Sequence, residues 1–456
     1  MGSSRSNRGE SRNALLSHFS FDPLYHNLNH ASYGATPKPV QLRLRSLQDE
    51  VESCPDRFIR KSYPRLLNAN RAAVADLLRV PLDTIVFVPN ATTALNVILT
   101  NLEWHDDGKD EILFFSTIYG ACGKTVDYVV DSRRGFVSSR SIPLVYPVED
   151  ADIVARFETA VHASRDEGRR PRLCVFDVVS SLPGVKFPFE AMTHKCKDLG
   201  VMSVIDGAQA IGMVDSKLDM IDPDFWFSNC HKWLYVPRAC AVLYCPERNQ
   251  HLLSATVPVS HGYVKKWLPT PRNHFVSNFQ YTGTLDFSPY LCVIEALAWR
   301  REVVGGEERV QERCVALAKK GGQRVAEMLG TEVLDNKTGT MTNCAMTNVR
   351  LPIRVVATTN QRKEESCISG DASQAGRGEI PVIQGDKVDS VAQWMMDVLL
   401  EQYRTFIVVY GHGNHVYVRL SAQVYLDLGD FEWAGRTLGE LCRRVAEREY
   451  LRNTLD

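Results

Sequence analysis

The chain has 456 residues, 44% hydrophobic and 23% charged, a balance that excludes a disordered or collagen-like chain and suits an ordinary globular α/β protein. Lys+Arg (53) and Asp+Glu (54) leave a formal net charge of -1, so no global field draws it to nucleic acid or an anionic membrane, and no apolar run reaches the roughly 18–20 residues of a membrane helix. Twelve cysteines lie scattered, with no C-x-x-C pair and no Cys/His cluster at zinc spacing, which predicts reduced thiols, no metal site and a cytoplasmic location.

In chain order, the start MGSSRSNRGESR is polar and basic without the apolar stretch of a secretory signal, and residues 1–20 read as a flexible arm. A helix is predicted over 64–79, with Pro64 at its start. Strands are then expected at 85–89, 111–116, 142–146, 172–179, 201–206 and 240–245, alternating with helices at 92–102, 151–164 and 190–200. Strands that are apolar almost throughout, separated by amphipathic helices, predict a mainly parallel sheet covered on both faces. After about residue 290 the pattern changes. A helical stretch runs from 289 to 329 with a break near Gly305-Gly306, followed by strands at 346–353 and 416–426 and a closing helix from Trp433. The stretch 360–379, rich in Gly, Ser and charge and containing Cys367, reads as a mobile loop. The chain thus divides into a large domain over 21–290 and a smaller α+β domain over 291–456.

Three segments carry chemistry. In SNCHKW, Lys232 stands between His231 and Trp233 just before an apolar strand; in VMSVIDGAQAIG, Asp206 ends a buried strand, where open parallel sheets bind ligands. A carboxylate buried there needs a cationic partner. In VFVPNATTALN, Thr92 and Thr93 open a helix after a strand, an arrangement that holds phosphate. Singly, each has a plainer reading: a surface lysine, an Asp capping the next helix, a threonine near an N-cap. Together, a phosphate site, a strand-end acid and a later lysine describe a pocket for pyridoxal 5′-phosphate (PLP).

DGAQAIG at 206–212, S-N-C-H-K at 228–232 and YTGTLD at 281–286 resemble the class V, fold type I PLP-dependent enzymes, in their isopenicillin-N-epimerase-like branch. The likeness extends from NLNHASYG at 27–34 to VRLSAQVYL at 418–426. It implies Lys232 as Schiff-base lysine and later general base, Asp206 as partner of the pyridinium nitrogen and Gln209 as partner of the ring hydroxyl. Thr92, Thr93, Ser228 and His231 would hold the phosphate, with Thr284 reaching across from the second subunit of a homodimer. Tyr119 would lie over the ring, Ser181 falls where relatives often carry an Asn near the ring hydroxyl, and Arg419 would bind the substrate α-carboxylate. His30 falls in a segment that lines the family's substrate pocket.

PLP binding leaves transamination, epimerisation, desulfuration and β-elimination open. A desulfurase would need a nucleophilic cysteine on a mobile loop; Cys367 has such a place, but acidic flanks (Glu364, Glu365, Asp371) disfavour its thiolate. Within the branch, the chain resembles the sulfoxide lyases of ergothioneine biosynthesis. That implies C–S β-elimination from hercynylcysteine sulfoxide, with pyruvate and ammonia as co-products and Tyr119 as candidate acid toward the leaving sulfur. Tyr25, Tyr33, Phe279 and Tyr281 are candidates to face the trimethylammonium group of such a substrate. A catalytically silent PLP-binding protein is the remaining alternative.

Overall fold

The computed structural model describes residues 14–265, 267–271, 273–356 and 380–452. Cys367 and the whole segment 360–379 lie outside the described residues.

The large sheet contains β1 (Ile85–Val88), β2 (Asp110–Phe115), β3 (Val137–Ile142), β4 (Arg170–Asp177), β5 (Met202–Asp206), β6 (Phe225–Asn229) and β7 (Ala241–Tyr244). They lie in the order β1-β7-β6-β5-β4-β2-β3. All neighbours from β6 to β3 pair parallel, whereas β7 runs antiparallel to both β1 and β6. Alternate residues of the central strands feed two apolar layers, with Val175 and Val204 in one and Phe176 and Ile205 in the other, which is why these strands read as continuously apolar. A second sheet, β8 (Met346–Val356), β9 (Val382–Gln384), β10 (Val408–His412) and β11 (His415–Ser421), has the order β10-β11-β8-β9. The helix Glu307–Leu329 packs on it closely enough that a Cβ on Gly322 would collide with Thr347.

Four expectations change. The strand expected over 416–426 is β11 and ends at Ser421. The third strand is 137–142, not 142–146: VSSRSI is buried only at its apolar ends, Val137 and Ile142, and polar between them because it is the sheet edge, paired to β2 alone, while Pro143 and Pro147 flank the more apolar stretch. β6 was not expected at all, and it places Lys232 after a strand, on the short helix Cys230–Trp233, rather than directly before one. Residues 14–20, expected within a flexible arm, pack down, with Phe19 buried against Tyr235, Trp299 and Tyr425.

Candidate active site

Asp206 ends β5, Ser228 lies on β6 and Lys232 follows it, and the end of β6 meets the N-terminus of the helix Ala91–Asn101, which carries Thr92 and Thr93. Asp206 is buried. Its Oδ1 accepts the Ala208 N–H at 2.8 Å and its Oδ2 accepts the Cys122 thiol at 3.4 Å. Burial pushes its pKa up, opposed by those two donors and by the positive charge of Lys232. Gly207 follows because a Cβ there would meet the Trp226 ring 2.7 Å away. Lys232 has its pKa pulled down to about 8 by burial, with Asp206 acting against the fall and Arg419 adding to it. A lysine so placed exists partly as free amine near neutral pH, which is what a nucleophile and base requires.

The backbone under Lys232 is clamped. His30 is fully buried, its Nε2 lying 2.8 Å from the Lys232 carbonyl and its Nδ1 3.0 Å from the Tyr425 hydroxyl. Burial holds its pKa near 3, so the ring is neutral. Expected to touch substrate, His30 instead spends both nitrogens on protein partners and acts as a positioning residue. Arg300 donates to the Trp233 carbonyl at 2.8 Å, and a Cβ on Gly34 would run into the His231 carbonyl. Gln209 donates to the Ala31 carbonyl (3.0 Å) and accepts from Trp233 Nε1 (2.7 Å). The Ser228 hydroxyl donates to the Gly207 carbonyl and accepts the Ile211 N–H. Both side chains therefore brace the loop that follows Asp206.

At the phosphate end, Asn90 caps the helix by accepting the Thr93 N–H (2.8 Å) and hydroxyl (3.1 Å). The Ala91 N–H goes to Asn229 Oδ1 at 3.0 Å. His231 Nδ1 lies 3.0 Å from the Cys240 carbonyl, and burial lowers its pKa to about 4. Tyr119 caps the helix Gly120–Ser132 and is 49% exposed. Thr284 lies apart from this cluster, exposed, with its hydroxyl 2.9 Å from that of Tyr281.

Arg419, on β11, is also buried. One Nη donates to the Ser181 carbonyl (2.7 Å), the other to Asn29 Oδ1 (2.9 Å) and the Ser32 hydroxyl (3.0 Å), and Nε has no partner. Every one of these acceptors is neutral, and burial lowers the guanidinium pKa to about 10. Gly184 is glycine because a Cβ would press on Arg419 Cδ at 2.9 Å. Asn29 also lines a neighbouring cavity of about 880 Å³ with Phe19, Phe21, Tyr25, Tyr33 and Phe406. Of the four aromatic candidates, Tyr25 and Tyr33 border this cavity, whereas Phe279 packs in the core and Tyr281 packs on Phe287.

Three site residues escaped the sequence reading: Cys122, on an unpredicted helix; Asn229, whose amide ties β6 to the phosphate helix; and Asp177, at the end of β4 beside Asp206. Only Asp177 left a signal, an acid closing an apolar strand as Asp206 does.

The Aminotransferase class-V family model matches residues 154–364. The L-cysteine desulfhydrase-like protein lolT1 of Epichloe uncinata is 34% identical over 454 residues, covering 95% of this chain and 96% of its own. The chain belongs to the class V aminotransferase family. A further relative, the hercynylcysteine sulfoxide lyase of Schizosaccharomyces pombe, is 29% identical over 437 residues (94% and 97% coverage). Among solved structures, the cystine C–S lyase C-DES in complex with its product cysteine persulfide aligns with a TM-score of 0.67 at 16% identity, covering 94% of this chain and 99% of that one. A variant of that lyase with glycine covalently linked to its PLP cofactor aligns at 0.66. The fold is that of the fold type I PLP enzymes, and the cofactor of this class V enzyme is PLP. Its residues fit the group: a lysine with a lowered pKa, a buried carboxylate facing it, a helix N-terminus carrying two threonines, and a buried arginine lacking an anion.

Proposed function

We propose that this class V enzyme is a C–S lyase that performs β-elimination on an S-substituted L-cysteine, with hercynylcysteine sulfoxide as its substrate. The observation that carries the reading is Arg419: a buried guanidinium held only by neutral oxygens is costly until an anion arrives, and its two-pronged geometry suits an α-carboxylate. PLP, when bound, supplies the electron sink for the pair left at the α-carbon. The chain then has three tasks. Arg419 fixes the carboxylate, which sets the substrate beside Lys232. The Lys232 amine takes the α-proton, and its pKa near 8 suits a base at physiological pH. The Cβ–S bond breaks with its electron pair going to sulfur, Tyr119 gives the leaving sulfenate a proton, and water releases the carbon fragment as pyruvate and ammonia.

Among the described residues the thiol beside Asp206, Cys122, is held protonated, since burial and the charge of Asp206 push its pKa far up, and this favours elimination over persulfide transfer. The cavity beside Asn29 gives room for a substituent much larger than a free thiol. Thr284 faces outward, which suits a homodimer in which each subunit lends that hydroxyl to the other. The test is purified holoenzyme with hercynylcysteine sulfoxide, S-alkylcysteines, L-cysteine and L-alanine, assayed for pyruvate. Rapid pyruvate formation from the sulfoxide supports the reading. Turnover of free cysteine alone would make it a desulfhydrase, and racemised alanine without pyruvate an epimerase.

A further inference from the structure

Asp177 has no part in that reading, yet it stands at the centre of the site. β4 and β5 pair parallel with Asp177 opposite Asp206, so the two carboxyl groups leave the same face of the sheet at the spacing of adjacent strands, about 4.8 Å. Both are buried. Two carboxylates that close in a dry site do not both ionise; one keeps its proton. The surroundings decide which. The Ala208 N–H and the Cys122 thiol both donate to Asp206, an arrangement that favours a full negative charge there. Asp177 faces the Ser180 hydroxyl, whose oxygen lies 3.5 Å from that of Tyr146.

We propose that Asp177 is a positioning residue: it keeps a proton, and so leaves Asp206 as the single ionised carboxylate of the pair. The inference rests on Asp206 being the partner of the cofactor's ring nitrogen. The charged and titratable groups around Asp177 are Asp206 on β5, Lys232 on the helix Cys230–Trp233, Cys122 on the helix Gly120–Ser132, and Tyr146. Burial and the charge of Asp206 drive its pKa well up, and the Ser180 hydroxyl and Lys232 act against the rise. With the pair carrying one charge instead of two, that charge is held where the two donors already point. A neutral Asp177 also adds no second anion to stabilise Lys232 as ammonium, and so leaves its amine available.

The decisive experiment is infrared spectroscopy of the PLP-free protein labelled with [4-¹³C]aspartate. At pH 7 an isotope-shifted band of a protonated carboxylic acid is expected, and Asp177→Asn should remove it. That variant mimics the protonated acid in shape and charge, so it should bind PLP within about threefold of the parent and with the same absorption maximum. In Asp206→Asn the like charge is gone, so the Asp177 band should disappear at a pH lower by about one unit or more. A merely structural Asp177 would not respond in this way. Absence of the band, its survival in Asp177→Asn, or a tenfold loss of PLP affinity in a natively folded Asp177→Asn would each overturn the proposal. Should Asp177→Asn not fold, the parent's band and its shift in Asp206→Asn decide alone. Normal PLP binding by Asp206→Asn would instead overturn the role given to Asp206, and the band would still report on Asp177.

Discussion

β4 carries charge at both ends, and the ends are built to opposite rules. At its start, Arg170 and Arg172 reach the buried Asp110 of β2 at 2.7 and 2.8 Å, and the His105 ring joins at 2.9 Å. Beside them Arg140 bridges Glu111 and Glu167. Burial alone would raise the pKa of Asp110; the His105 and Arg170 hydrogen bonds and the Arg172 charge hold it below the usual carboxylate value. At its other end Asp177 sits beside a like carboxylate, and both have raised pKa values. The first end has satisfied its charges within the chain. The second leaves an acid, an amine and a guanidinium waiting for charges that only ligands bring. Balanced charge marks where the sheet is stabilised, and unbalanced charge marks where it works.

Replacing Lys232, Tyr119 or Arg419 at the unbalanced end should damage chemistry and spare the fold. Lys232→Ala has the largest effect, a fall in pyruvate formation on the order of 10³-fold or more, with PLP still held by its phosphate and unchanged circular dichroism. Near-normal turnover would remove Lys232 from the chemistry. Tyr119→Phe comes next. Loss of a general acid lowers kcat on the order of 100-fold at normal PLP occupancy; a variant within about threefold of the parent would leave Tyr119 as a stacking platform. Arg419→Lys keeps the charge and loses the fork, so KM for the amino acid should rise about 10-fold or more while PLP affinity holds. Equal KM values would place the carboxylate elsewhere.

The balanced end should behave in reverse. Asp110→Asn leaves Arg172 without its carboxylate and Arg170 with Asp107 alone, and should cost about 2–3 kcal/mol of stability, read as a lower Tm, with turnover per folded molecule unchanged. The sign with pH follows from the lowered folded pKa. Asp110 contributes its stability at pH values above the unfolded carboxylate pKa, near 4, and loses it as the pH falls through the lower folded value, so the gap between parent and variant should narrow on acidification below about pH 4. A gap that widened there would contradict the assignment.

Much of the unbalanced end was legible in the sequence. Asp206 follows a wholly apolar run, the two threonines open a helix, and Lys232 and Arg419 sit in motifs with few alternative uses. What escaped depends on pairing across the sheet. Asp177 gains its meaning only from lying opposite Asp206, which strand register decides. Cys122 lies on a helix whose two glycines at 120 and 123 obscured its periodicity. For His30, Gln209 and Ser228 the resemblance implied contacts to substrate or cofactor, but sequence does not say whether such a polar group faces a ligand or a neighbouring loop, and here each bonds to the protein.

The contact between His30, the Lys232 carbonyl and Tyr425 joins three distant stretches of the chain. Asn27 donates to the same Tyr425 hydroxyl at 2.9 Å. The imidazole thus works as a two-sided spacer: one nitrogen meets the lysine's backbone and the other meets a hydroxyl 395 positions further along the chain. A change near residue 425 can therefore be felt at the lysine through a single ring, without touching any residue of the large sheet.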